Sequence, residues 1–503
     1  MIARVTTVAL VGFDGALVEV ETDLKQGLPA MHIVGMGNKA VEEARERVRS
    51  AISNSLLDFP TRKLIVNLAP AELPKDGAQY DLPIALSVLI ASGQLRQKEV
   101  KDAVFAGELS LSGELRPIRG VITITEAAKR AGFQEVYVPS ANVTQARLVE
   151  DIRVIGVANL TQLFRHLKKE VLIPDTAPLV PPIATPPPEL TIDDVHGQAQ
   201  AKRALQIAAA GRHNILLTGP PGAGKTMLAK ALMSLLPPLS KSEQLAVTKL
   251  YSIAGEREHV IQQRPFRSPH HTTSSVALIG GGAKPVPGEI SLAHLGVLFL
   301  DELPEYPRAT LEALRQPLED RTISIARAHG RITYPADFML VATMNPCPCG
   351  YYGDPDKECT CHSAQILAYQ KRLSGPLLDR IDLILSVSKV SHNELLSVKS
   401  LDEKQHPKVF EHISNAQVCQ KVRYKSSNIY NASLSSAAIK QQLVLTADAR
   451  KLLLSASTHL NLTARSYFKV IKVAQTIADL AGGGTITAAH IAEALQYRTG
   501  APG

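Results

Sequence analysis

The chain has no tryptophan among its 503 residues, and aromatic residues make up only 4% of it. A protein that gripped nucleic acid by stacking base after base on rings would need more. If the partner is a polyanion, Arg and Lys tracking a phosphate backbone is the mode left open. Five cysteines are too few for a secreted disulfide framework, and a reducing, cytoplasmic compartment fits them. No uninterrupted apolar run approaches the ~20 residues that a membrane span needs, so no membrane is expected. The apolar stretch 5–20 is broken by Asp14 and Glu19 and has no basic segment before it. It reads as a pair of strands and not as a secretion signal. Charge of neither sign dominates. A formal net charge of +8 is a mild lean toward a polyanionic partner.

What is present is enough apolar residue, 45%, for large cores in two to four domains. The fold class is α/β. Residues 1–170 alternate strands, such as 64–68, with helical stretches 40–53 and 82–92. Residues 171–190 form a linker whose segment 174–188 holds seven prolines, so it is stiff and extended. Residues 191–390 are a second α/β unit. Residues 391–503 are a small helical domain with helical periodicity at 409–423, 447–459, 466–480 and 488–497. No repeat of 20–50 residues is found.

The second unit carries the chemistry. Gly219-Pro220-Pro221-Gly222-Ala223-Gly224-Lys225-Thr226 follows an apolar strand, 214–218, and opens a helix. That is the setting of a phosphate-binding loop. Its backbone N–H groups and the helix N-terminus face a phosphate. Lys225 reaches the β- and γ-phosphates, and the Thr226 hydroxyl binds Mg²⁺. A second strand, 296–300, ends in Asp301 and Glu302. Asp301 is placed to hold Mg²⁺ and Glu302 to polarise the attacking water. The expected chemistry is therefore binding and hydrolysis of ATP with Mg²⁺. A third apolar strand, 338–344, ends in Asn345, which would lie between the other two and contact the γ-phosphate or its water. Arg380, in Leu378-Asp379-Arg380-Ile381-Asp382, and Arg465, in Thr463-Ala464-Arg465-Ser466-Tyr467, complete the list. A local ion pair of Arg380 with Asp379 or Asp382 is the plainer alternative. Arg465 opens a helix, where a cation is disfavoured, so an anionic partner is expected.

Asn345, Arg380 and Arg465 resemble sensor 1, the arginine finger and sensor 2 of AAA+ ATPases. The tract Arg264-Pro265-Phe266-Arg267-Ser268-Pro269-His270-His271-Thr272-Thr273-Ser274, with Gly288-Glu289-Ile290-Ser291-Leu292-Ala293-His294, is similar to the helix-2 insert of the magnesium-chelatase-like branch. Gly35, 40–48, Asn67-Leu68-Ala69-Pro70-Ala71 and Asp81-Leu82-Pro83-Ile84-Ala85 resemble the N-terminal domain of the ComM family. The resemblance covers essentially the whole chain. It implies an AAA+ core with a helix-2 insert and a C-terminal helical lid, and a homo-hexameric, ATP-driven DNA helicase. Such an enzyme migrates branches of recombination intermediates during natural transformation. The implied partners are single-stranded and branched DNA, bound without regard to sequence, and a recombinase or other recombination proteins. A metal-chelatase motor subunit and a MoxR-like protein-remodelling ATPase are the alternatives.

The N-terminal domain also resembles the Lon protease fold, a ribosomal S5-like α/β arrangement. The Ser of that fold would fall at Gln79, after Lys75-Asp76-Gly77, and its Lys near Ile122. An amide and an alkyl chain cannot form a Ser–Lys dyad, so no peptidase activity is expected.

Two further groups stand out. Cys347, Cys349, Cys359 and Cys361 offer four thiolates, enough to close a tetrahedral Zn²⁺ site. His362 is a substitute ligand, and unmetallated thiols are the alternative. Cys419 reads as a packed helix residue. For DNA, the hairpin expected over 324–333 presents Arg327 and Arg331, and the insert presents Arg264, Arg267 and Lys284. A solvated surface or pairing between subunits is the competing use of these cations.

Overall fold

The computed structural model describes residues 2–35, 39–174, 189–256, 259–282, 286–327, 330–354, 356–390 and 404–498. The N-terminal unit is built on a seven-stranded sheet. Its spatial order is Ala30–Val34, Lys63–Ala69, Asp14–Lys25, Ala3–Val11, Ala103–Phe105, Glu135–Pro139 and Arg153–Val157. The apolar stretch 5–20 is indeed a hairpin, with Val11 opposite Asp14. In Lys63–Ala69 the period-2 pattern turns Leu64, Val66 and Leu68 inward. The helix Asp81–Ala91 is apolar on every side and is accordingly buried along almost all of its length. Ile173 packs into this core, and its N–H donates to His166 Nδ1 at 2.9 Å. The N-terminal unit therefore runs a few residues into the segment expected to be linker. Most of the proline-rich stretch, 175–188, lies outside the described residues.

The second sheet is parallel throughout, in the order Phe266–Arg267, Val297–Leu300, Met339–Met344, Ile215–Thr218 and Leu383–Ser386. Its strands read as continuous apolar runs because both faces are covered. Ile215, Leu217, Val297 and Phe299 belong to one core. Leu216, Leu298 and Leu300 belong to the other. Consecutive strands are not neighbours here. The strand leading into the phosphate loop sits between Met339–Met344 and Leu383–Ser386, so three loops meet at the C-terminal edge. In open α/β sheets, that edge is where ligands bind.

The C-terminal helices His406–Tyr424, Ala447–His459, Ala464–Leu480 and Ala488–Gln496 fall close to the expected spans, and Ser436–Gln442 is added to them. Their apolar faces join the first of those cores. Asp382 ties the two parts together from a buried position. Its carboxylate accepts from Asn214 N–H at 3.0 Å and pairs with Lys469 Nζ at 2.8 Å, and His213 Nδ1 lies 3.5 Å away. Burial opposes this charge, but Lys469 and His213 hold its pKa well below the usual carboxylate range.

The N-terminal unit rests on the helix Lys241–Ala254. Gly120 N–H donates to Ser252 Oγ at 3.0 Å, Lys249 pairs with Glu126, and the Lys249 ammonium lies 4.0 Å from the centre of the Phe13 ring. Gly12 lies so close to Ile332 of the hairpin Thr322–Arg327/Gly330–Pro335 that a Cβ there would stand 2.4 Å from Ile332 Cγ2. No helix among the described residues is long and apolar enough to cross a membrane.

Candidate functional site

The phosphate loop leaves Thr218 and runs into the helix Lys225–Leu235, with Gly224 at φ +80° as its N-cap. A Cβ on Gly219 would stand 2.2 Å from Val387 O, so only glycine allows the loop to pass the neighbouring strand. Lys225 Nζ donates to Gly219 O at 2.6 Å, Pro220 O at 3.0 Å and Asn345 Oδ1 at 3.1 Å. Burial lowers the pKa of this amine, and Asp301 and Glu302 pull it back up. Thr226 Oγ1 donates to Asp301 Oδ2 at 3.3 Å. The structure thus brings Lys225, Thr226, Asp301 and Asn345 into one connected group, with Glu302 beside it on the exposed side. A cationic amine, a hydroxyl and a carboxylate around a glycine-lined loop are suited to a nucleotide's phosphates with Mg²⁺, which Thr226 and Asp301 would hold.

Two residues of this group escaped the sequence reading. Thr343 is buried, donates from Oγ1 to Asp301 Oδ1, and accepts from Glu302 N–H at 3.0 Å. It fixes both acids at once. Its only signal in the sequence is a hydroxyl in an apolar strand two residues before Asn345. Gln198 Nε2 donates to Ala223 O at 2.8 Å and to Ser388 O at 3.3 Å, pinning the phosphate loop from outside. Nothing in its local sequence announces this.

Arg380 and Arg465 are found together but away from Lys225. The parallel register pairs Ile215 with Leu383 and Thr218 with Ser386. Arg380 precedes Leu383, so it starts from the opposite edge of the sheet, about 13 Å back along a four-residue strand. Its Nε donates to Arg315 O at 3.0 Å and its Nη1 to Pro376 O at 2.7 Å, and Glu319 pairs with its Nη2. Arg465 Nη2 reaches the other oxygen of the same carboxylate at 2.8 Å. The partner of Arg380 is thus Glu319, distant in sequence, and not Asp379 or Asp382. Asp379 instead accepts from Ser466 Oγ at 3.1 Å. Arg465 has the anionic partner expected of it.

The insert departs from expectation. Arg264 has a side chain only 6% exposed. It donates to Pro237 O at 2.6 Å and Leu295 O at 2.7 Å and pairs with Glu243 at 3.2 Å. Arg267 is held between Glu289 at 2.6 Å and Glu256 at 2.9 Å. Both guanidiniums are paired with carboxylates of the same chain, in place of the solvated surface that is the plainer expectation for them. Lys284 lies outside the described residues, as does the side chain of Arg327. Arg331 is exposed on the hairpin, opposite Ala326.

In the N-terminal unit Gln79 and Ile122 are both buried, and Lys75 Nζ donates to Pro70 O. The four cysteines Cys347, Cys349, Cys359 and Cys361 converge, with all four sulfurs within 4.8 Å of one another.

The parallel sheet order, the phosphate loop and the acid-tipped neighbouring strand define a P-loop ATPase of the AAA+ type. Comparison with known proteins agrees in three successive stretches. Residues 20–142 match the family described as subunit ChlI of Mg-chelatase. Residues 191–395 match magnesium chelatase, subunit ChlI, and residues 403–498 match its C-terminal family. The chain is 42% identical over 505 residues to the uncharacterized protein YifB of Salmonella typhimurium, covering 99% of this chain and 97% of that one. It is 41% identical over 508 residues to the competence protein ComM of Haemophilus influenzae, covering 99% and 97%. A shorter match, 32% identical over 94 residues, covers 18% of this chain and 22% of the DNA repair protein RadA of Streptococcus pneumoniae. The chain belongs to the ComM/YifB family of magnesium-chelatase-like proteins.

Proposed function

We propose that this chain is an ATP-driven DNA translocase that works as a homo-hexamer and promotes branch migration of recombination intermediates during natural transformation. The observation that carries this reading is the match to a competence protein across nearly the full length of both chains. The matched DNA repair protein points the same way.

On this reading Lys225 and the loop 219–226 bind the triphosphate, and Thr226 and Asp301 hold Mg²⁺. Glu302 orients the attacking water, and Asn345 contacts the γ-phosphate or that water. Arg380 and Arg465 act on a neighbouring subunit's nucleotide, because they stand at the far edge of the sheet from their own phosphate loop. Glu319 holds both of them. Arg331, with Arg327, tracks phosphates without regard to sequence. The insert serves as a rigid platform for the hairpin, and the C-terminal helices serve as the lid. Residues 1–174 keep a Lon-like fold without its dyad, since Gln79 and Ile122 stand at the dyad positions. The proposed partners are single-stranded and branched DNA, with a recombinase as the candidate loading partner, and the proposed setting is the cytoplasm. Zn²⁺ is the proposed occupant of the four-thiol cluster.

The family descriptions favour a second reading, a motor subunit of a metal chelatase. One experiment separates the two. ATP hydrolysis and strand movement are measured on a mobile three- or four-way junction, with the Glu302→Gln variant as control. DNA-stimulated hydrolysis and ATP-dependent junction movement are expected. Hydrolysis indifferent to DNA, with no junction movement, refutes the translocase.

A further inference from the structure

We infer that Cys347, Cys349, Cys359 and Cys361 hold one Zn²⁺ ion, and that this ion locks one wall of the nucleotide site. Metal occupancy and nucleotide affinity are then coupled. The coupling rests on the nucleotide site proposed above, whereas the metal site stands on its own geometry.

A tetrahedral site with Zn–S bonds of about 2.3 Å has edges of about 3.8 Å between sulfurs. The measured separations are 3.3 Å for Cys347–Cys349, 3.7 Å for Cys347–Cys359 and 3.6 Å for Cys349–Cys359. All four sulfurs lie within 4.8 Å of one another. A disulfide pairing would show one separation near 2.0 Å and the others long. Here the three separations among Cys347, Cys349 and Cys359 are nearly equal, and the four cysteines are free thiols. Tyr352 N–H points at Cys347 Sγ at 3.3 Å, the kind of outer contact that orients a thiolate ligand. Four thiolates around a dication leave two negative charges. Zn²⁺ binding releases the thiol protons to solvent.

The cluster abuts the nucleotide site at two points. Cys347 is two residues after Asn345, whose Oδ1 accepts from Lys225 Nζ. Gly350, at φ +85°, turns the loop so closely past the phosphate loop that a Cβ there would lie 2.7 Å from Pro221 Cδ. Gln370 Nε2, on the helix that follows the second cysteine pair, donates to Pro346 O at 3.2 Å and closes the loop on itself. A metal that joins 347–349 to 359–361 removes the loop's freedom to pull Asn345 and Pro221 out of register. Loop closure otherwise has to be met from conformational entropy.

The test uses the full chain. Elemental analysis should find about one Zn²⁺ per chain, the stoichiometry of a four-ligand site. Replacement by Co²⁺ should give thiolate-to-metal charge-transfer absorption. Stripping with a chelator should weaken binding of a fluorescent ATP analogue by about 5- to 150-fold, the usual span of coupling between sites, and re-added Zn²⁺ should restore it. By linkage, saturating analogue should tighten Zn²⁺ binding by the same factor, an effect that Lys225→Ala should abolish. Cys359→Ser with Cys361→Ser should lose both the metal and the tight nucleotide binding. Retained helical circular dichroism in the stripped chain separates a lock from unfolding. A chain that neither carries nor takes up stoichiometric Zn²⁺ or Co²⁺ overturns the metal site. Equal nucleotide affinity with and without metal overturns the lock. A zinc-replete chain that binds no nucleotide overturns the lock and the nucleotide site together and leaves the metal site standing.

Discussion

Replacing Thr343 by Val removes one hydroxyl and keeps the shape of the side chain. That hydroxyl donates to Asp301 and accepts from Glu302 N–H. Thr343 is only 1% exposed, so water cannot take over either bond. A hydrogen bond to a charged group contributes about 1.5–3 kcal/mol. If that stabilisation is felt when Mg²⁺ and the attacking water are aligned, turnover should fall by about 10- to 150-fold, at 1.36 kcal/mol per factor of ten. Nucleotide binding should change much less, because Lys225 and the loop backbone are untouched. Steady-state ATP hydrolysis paired with equilibrium titration of a fluorescent analogue separates the two effects. Thr343→Ser, which keeps the hydroxyl, should recover most of the rate. A Val variant that hydrolyses ATP within about twofold of wild type, with unchanged affinity, would refute the argument that this threonine sets the two acids.

Other perturbations test other parts. Lys225→Ala should abolish nucleotide binding or turnover, whereas Glu302→Gln should bind ATP and hydrolyse it very slowly; comparable hydrolysis by Glu302→Gln and wild type removes that role. Arg380→Ala should hydrolyse poorly, yet recover when mixed with a Lys225→Ala chain that supplies the arginine across an interface, and normal hydrolysis by Arg380→Ala alone ends the assignment. Arg327→Ala with Arg331→Ala should keep basal hydrolysis and lose junction movement, and each lost phosphate contact should reduce the log–log salt slope of DNA binding by about 0.7–0.9. Undiminished junction movement would put the grip elsewhere. His294 gives a pH signature. Burial pushes its pKa down to about 4, and its Nδ1 accepts from Asp337 N–H at 3.0 Å, which requires the neutral ring. The unfolded chain binds this proton near the ordinary value of roughly 6.5. Stability should therefore be full above that value and fall as pH drops toward 4, by up to about 3 kcal/mol. Thermal denaturation across that window should show the loss, and His294→Gln should flatten it.

The nucleotide-binding elements were legible in the sequence because each is local. The glycine loop 219–226 and the strand 296–300 with its terminal acids each occupy eight residues or fewer, so local pattern suffices to find them. The hairpin at 322–335 was legible for the same reason, through alternation and a turn. What could not be read was pairing over distance. Glu319 meets Arg380 across 61 residues of chain, and meets Arg465 only after the C-terminal helices dock. Arg264 looks like an exposed cation until Glu243, in the preceding helix, closes on it in a buried setting. Thr343 carries no pattern, since its importance comes from two acids on the neighbouring strand. The cysteines lay between these cases. Their types were plain, but C-x-C spacing alone left open whether four sulfurs would meet.

Asp382 has a mechanical consequence. Swinging the C-terminal helices away from the sheet would leave its carboxylate buried without Lys469, and stranding a buried charge in this way costs about 3–5 kcal/mol. The C-terminal helices and the sheet should therefore move as one stiff body. On the hexamer proposed above, the compliant joints would lie at the seams between one chain and the next. Whatever stroke ATP hydrolysis produces would then be a rotation between neighbours in an assembly, and a lone chain would have little with which to make it.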